Sequence, residues 1–154
     1  MKLAEALIAR ADLQRRVEQL RSRIASVARY QEGEEPQEDA AALVDEASGT
    51  LDRLEGLVVA INLTNAVVTL PDGRTMTAAL AHRDALRARH ALLTAAADAA
   101  QGTGGAYRQI RSELRQFAAL PVAEVRRRAD DVARQLRELD VEVQRTNWEA
   151  DLRD

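Results

Sequence analysis

Between Val122 and Val143 the chain sets Val122, Val125, Ala129, Val132, Leu136, Leu139 and Val143 at spacings that alternate three and four without a break. A row of that period runs down one side of an α-helix, so residues 121–148 are predicted to form a helix that must bury one narrow aliphatic seam. The spacing returns at Leu3, Ala6, Leu13, Val17, Leu20, Ile24 and Val27, with Arg10 as the only breach, and predicts a helix over 2–30. Leu43, Ala47, Leu51, Leu54, Val58 and Ile61 predict another over 38–63, where the step from Ala47 to Leu51 is a local stutter beside Gly49. Leu80, Arg83, Leu86, His90, Leu93 and Ala97 predict a third over 77–101. Gly49 and Gly56, inside the second of these, suggest close packing, because each costs about 1 kcal/mol relative to alanine in a helix interior.

The connections follow from the residues that cannot continue a helix. QEGEEPQED at 31–39 combines Gly33 and Pro36 with five acids, which ends the first helix and turns the chain. Glu38 and Asp39 then precede the second helix, where negative charge meets the positive end of its dipole. Helical spacing breaks again from Ile61 to Asp84. There Val67–Leu70 and Arg74–Thr77 flank Pro71-Asp72-Gly73, which predicts a β-hairpin over about 66–76, with Thr77 capping the helix that follows. Two strands alone are marginal in water, so a third is wanted. Residues 107–119 admit two readings: Tyr107, Ile110, Leu114 and Phe117 have helical spacing, whereas Ile110, Ser112, Leu114 and Gln116 alternate as a strand. A strand over 111–119 is preferred because it would complete the sheet. The glycine-rich 102–105 lacks the lysine and hydroxyl pair of a phosphate loop and reads as a connector.

These expectations add up to one mainly α domain over 1–154: long antiparallel helical hairpins in a bundle, with a small, three-stranded at most, β element at one end. Composition bears on how such a bundle completes itself. Aromatic residues are 3% and charged residues 31% of the chain, so the seams are thin rows of Ala, Leu and Val, and a homo-oligomer that joins them across subunits is expected. A net charge of −3 selects neither nucleic acid nor an anionic membrane surface as partner. There is no cysteine, which excludes disulfides and thiol chemistry. No signal peptide or spanning segment is visible, and the cytoplasm is the expected location.

Catalytic patterns are missing where they would be needed. His82 and His90 are eight residues apart on one helix, outside the Glu-x-x-His and His-Glu-x-x-His spacings that hold iron or zinc, and no serine lies in Gly-x-Ser-x-Gly. Neither a cofactor nor an enzymatic activity is expected. The Arg126-Arg127-Arg128 triplet points around its helix beside Asp130 and Asp131 and reads as a solvated face. One collection of polar residues stands apart: Asn62, Thr64, Asn65, Asp72, Thr75, Arg83, Asp84 and Asn147 would gather at one pole if the helices are antiparallel. They form either a network satisfying backbone groups around the turn or a small-ligand site, and the network is the favoured reading.

Several stretches, MKLAEALIARADLQRR, YQEGEEPQED, INLTN, LPDGRT, ALAHRD, RSELR and RELDVEVQRTNW, resemble a small family of bacterial proteins labelled septicolysin-like. The resemblance covers nearly the whole chain and implies a membrane-active cytolysin as the alternative to a self-assembling structural or interaction protein. It carries no catalytic residues across. Membrane contact is expected only under that alternative; otherwise the expected partners are further copies of the chain and other proteins.

Overall fold

The computed structural model describes residues 1–102 and 115–153. Among them lie four helices, α1 (Leu3–Val27), α2 (Ala40–Val67), α3 (Met76–Gln101) and α4 (Val122–Glu149), and no β-strand. The chain divides into two compact units: a terminal unit of Met1–Val68 with the stretch from Arg145 onward, and a central unit of Thr69–Gln144. No helix among the described residues is long and apolar enough to cross a membrane.

In the terminal unit α1 and α2 form an antiparallel hairpin. Asp39 starts α2 by accepting from the backbone N–H groups of Ala41 (2.9 Å) and Ala42 (3.1 Å), two donors the first turn leaves without partners. Ion pairs cross the hairpin from Arg16 to Glu46 and from Arg23 to Glu38. At the other end the last residues close over the first. Leu3 N–H donates to Ala150 O (2.9 Å), Leu152 N–H to Met1 O (2.9 Å), and Lys2 Nζ meets Asp151 at 2.8 Å. Leu3, Ala6 and Ile61 are buried beneath this clasp, with Leu7, Leu57, Ala150 and Leu152 packed against them.

The α2 seam differs from the expected one in an instructive way. The buried residues are Leu43, Thr50, Ile61 and Thr64, while Leu51 stays 49% exposed. Taking Thr50 for Leu51 and Leu57 for Val58 gives steps of four and three that alternate from Leu43 to Thr64, so the expected stutter is absent. Each threonine hydroxyl donates to a carbonyl one turn back in its own helix, Thr50 to Glu46 O and Thr64 to Ala60 O, both at 2.8 Å. A hydroxyl satisfied in this way can enter a seam that a search for aliphatic residues alone would pass over.

In the central unit α3 and α4 pack through one aliphatic cluster of Leu70, Met76, Ala79, Leu86, Val132, Leu139 and Val143, flanked by Leu80, Leu93 and Leu136. Arg83 reaches Asp140 (3.7 Å) and Arg126 reaches Asp98 (3.1 Å), so within this unit α3 and α4 run antiparallel. Gly102, at φ 74°, ends α3 in the left-handed conformation that glycine adopts without a Cβ penalty.

The β element is corrected by the structure. α2 continues through Val67 and α3 begins at Met76, leaving only 68–75 between them. That span holds one antiparallel bridge, Thr69 to Thr75, where the expected hairpin over 66–76 needed two strands. Thr75, rather than Thr77, caps α3, its hydroxyl accepting from Ala78 N–H at 3.2 Å. Helix propagation from both sides consumes the strand residues, because each added helical residue gains a backbone bond that an isolated two-stranded ribbon cannot match. Of the expected strand over 111–119, residues 111–114 lie outside the described residues, as do Tyr107 and Ile110, and residues 115–119 form no strand. Trp148 stays 55% exposed at the end of α4, while its neighbours Thr146 and Asn147 are buried.

Candidate functional site

The turn joining α2 to α3 shapes a concavity whose lining residues all belong to the central unit. Gly73, at φ 83°, allows the chain to reverse, with Gly73 N–H donating to Leu70 O (2.9 Å) and Leu70 N–H to Arg74 O (2.8 Å). Asp72 fixes the tip twice over, accepting from Arg74 N–H at 3.0 Å and pairing with the Arg74 guanidinium. Those hydrogen bonds, first from the Arg74 side chain and then from its backbone, hold the Asp72 carboxyl below the usual carboxylate range. Leu70, 4% exposed, plugs the turn into the α3–α4 cluster, so the tip is anchored rather than free.

Between this tip and the helices lies a cleft of about 660 Å³, walled by Pro71, Asp72 and Arg74, by His82 of α3, and by Gln135, Glu138 and Glu142 of α4, with Leu70 and Leu139 behind. Gln135, Glu138 and Glu142 follow one another at steps of three and four, which puts them on one face of α4. One carboxylate oxygen of Glu142, Oε2, is shielded from solvent and has no hydrogen-bond partner among the described residues. No group of three or more His, Asp or Glu residues suited to a metal ion is found among the described residues.

The eight expected site residues fall four and four into the two units. In the terminal unit Thr64 is fully buried and structural: its oxygen accepts Arg153 N–H at 2.9 Å while its hydrogen goes to Ala60 O. Asn147 is also buried, whereas Asn62 is exposed and Asn65 half-buried. In the central unit Thr75 is the α3 cap, and Arg83 bridges toward Asp84 (4.0 Å) and Asp140 (3.7 Å). Asp72 alone of the eight lines the cleft. Sequence reasoning passed over Arg74, Gln135, Glu138 and Glu142. The α4 face could be read from spacing, but its apposition to the turn depends on how α3 and α4 pair, which spacing does not state.

A second feature lies in the terminal unit, on the side of α2 away from its seam. Gly49, Asp52, Gly56, Val59, Leu63 and Val67 follow helical steps and are all exposed. Val59 is 51% and Leu63 51% exposed. A Cβ built on Gly49 or Gly56 would meet nothing within 4 Å, so neither glycine serves the packing inside the chain that its position in a helix interior suggested. From Gly56 to Pro71 no residue is charged.

Solved structures place this architecture among known ones. A crystal structure of a functionally unknown conserved protein from Corynebacterium diphtheriae is similar along 99% of both chains, with 37% sequence identity and a TM-score of 0.90. No curated protein matches the chain. The septicolysin-like resemblance is overturned by the family model that does match, whose description assigns no lytic activity. Residues 10–152 fit the model of a family of unknown function, DUF6847, and the chain belongs to that family.

Proposed function

We propose that the protein works as a self-assembling helical interaction protein without enzymatic activity, and that the outer row of α2 is the surface through which copies meet. The observation that carries this reading is the pairing of exposed aliphatic residues with two unexplained glycines on one helix face. Val59, Leu63 and Val67 are about half exposed where a monomer gains nothing from exposing them. Gly49 and Gly56 each cost about 1 kcal/mol in a helix interior, and no contact within the chain requires them. Small residues beside aliphatic ones are what allow a second helix to approach closely. A second copy is the occupant that suits the face, since the uncharged stretch from Gly56 to Pro71 lets two identical surfaces meet without like-charge repulsion.

Light scattering at micromolar concentration tests the reading directly. The unmodified chain is expected to have the mass of a dimer or larger assembly, and Leu63→Asp, at an exposed position, to return it to the monomer mass with unchanged helical circular dichroism. A folded monomer across the concentration range overturns the proposal, as does an assembly indifferent to Leu63→Asp and Val59→Asp.

A further inference from the structure

We propose that the cleft beneath the Pro71-Asp72-Gly73 turn binds an aliphatic ammonium group, with the ammonium between Glu138 and Glu142 and the alkyl stem against Leu70, Pro71 and Leu139. This site is in the central unit and does not depend on the α2 surface. Its volume of about 660 Å³ lies within the ordinary range for small-molecule sites. The charges on its walls do not cancel. Arg74 is taken up by Asp72, in an ion pair reinforced by the backbone N–H of Arg74, so this cation is not available to the acids of α4. Glu138 and Glu142, one turn apart, remain as the charge of the α4 wall, and the wall residues Gln135 and His82 are polar without adding a fixed positive charge.

Glu142 adds the more specific signal. A shielded carboxylate oxygen without a donor among the described residues is costly, and a ligand that brings several N–H donors to this carboxylate relieves that cost. An ammonium presents three donors on a compact charge, which suits carboxylates spaced along one helix face. Behind them Leu70 and Leu139, 4% and 6% exposed, offer an apolar back wall that a bare inorganic cation would not use. The ligand is thus an amine carried on a hydrocarbon stem. Its source is either a free aliphatic amine or a lysine side chain of a peptide, and both present the same chemistry to the cleft.

The test uses the full chain and two probes, putrescine and acetyl-lysine amide, followed by NMR of the His82 imidazole and by titration calorimetry. Saturable binding of either probe, with the His82 resonance shifting, supports the proposal; preference for putrescine assigns the free amine and preference for acetyl-lysine amide assigns the peptide side chain. Glu142→Gln is expected to weaken binding by about tenfold, the size of one lost charge-assisted hydrogen bond. Exposed Glu138→Gln, which removes no buried group, gives the same reading should Glu142→Gln impair folding. Glu124→Gln, on the first turn of α4 and outside the cleft, should leave binding unchanged. The proposal is overturned by failure of both probes to saturate, by equal binding of uncharged butanediol, or by equal weakening in Glu124→Gln.

Discussion

The two units build antiparallel helix pairs by different means. The central unit joins α3 to α4 through a continuous aliphatic cluster from Leu70 to Val143, and its ion pairs sit at the rim. The terminal unit has a seam interrupted by two buried hydroxyls, Thr50 and Thr64 on α2. It compensates at its ends, with the clasp of Lys2, Asp151 and the C-terminal backbone at one and Arg23–Glu38 at the other. A seam of mixed character binds more weakly along its length, so fixing its ends contributes more there than it would in the central unit.

The sharpest way to break this contrast is to remove core volume from the central unit. Leu86→Ala, at a position 1% exposed, is expected to cost about 2–5 kcal/mol in urea unfolding, since the cluster around it leaves a cavity that cannot fully collapse. A cost below about 1 kcal/mol would mean that the central seam is as loosely packed as the terminal one.

The two threonines of α2 divide the seam from the clasp. Thr64→Val strands Arg153 N–H as well as removing a hydroxyl, and should cost about 1–2 kcal/mol with faster hydrogen exchange at the Arg153 amide. Thr50→Val loses only a bond within its own helix and is expected to be neutral or mildly stabilising. Equal effects would show that the clasp adds nothing to Thr64.

Gly49→Ala and Gly56→Ala test what the glycines are for. Each should raise the stability of the isolated chain by up to about 1 kcal/mol, because a Cβ there meets open space. If Gly56 serves assembly, Gly56→Ala raises thermal stability and weakens association together. A gain in stability with association unchanged would move the interface elsewhere on α2.

The smallest effect is that of pH. Hydrogen bonds from Arg23, Arg74 and Lys2 hold the carboxyls of Glu38, Asp72 and Asp151 below their ordinary values. A folded-state value lower than the unfolded one means that these pairs contribute fully at neutral pH and lose their contribution as pH falls below the ordinary carboxylate range and through the folded values. Two of the three lie in the terminal unit, so its amide protection should decline first on acidification, and salt should reduce the difference because all the pairs are exposed. Earlier loss in the central unit would contradict the ranking.

How much was legible in the sequence depended on whether a residue's role is carried by its own helix. The α4 seam could be read residue by residue, and both ends of each of the four helices fall within a few residues of expectation, with Asp39 and Gly102 acting on their own first or last turn. On α2 the aliphatic row predicts Leu51 where Thr50 is the buried residue, because a hydroxyl satisfied one turn back can enter the seam and composition does not announce that bond. The β-hairpin was expected from β-branched residues around a genuine turn. That turn formed, but Val67 joined α2 and Thr75 became a cap, a competition decided by helix growth from both sides.

By itself the sequence determined where four helices lie to within a few residues, the side that α4 must cover and where the chain reverses, because these follow from the period of side chains around a backbone and from residues that cannot continue it. Only tertiary structure decided that Glu138 and Glu142 face the Asp72 turn, that Thr64 holds Arg153, and that the outer row of α2 is left uncovered. Those are relations between elements distant along the chain, set by which seams pair and in which register, and helical periodicity is the same for every such pairing.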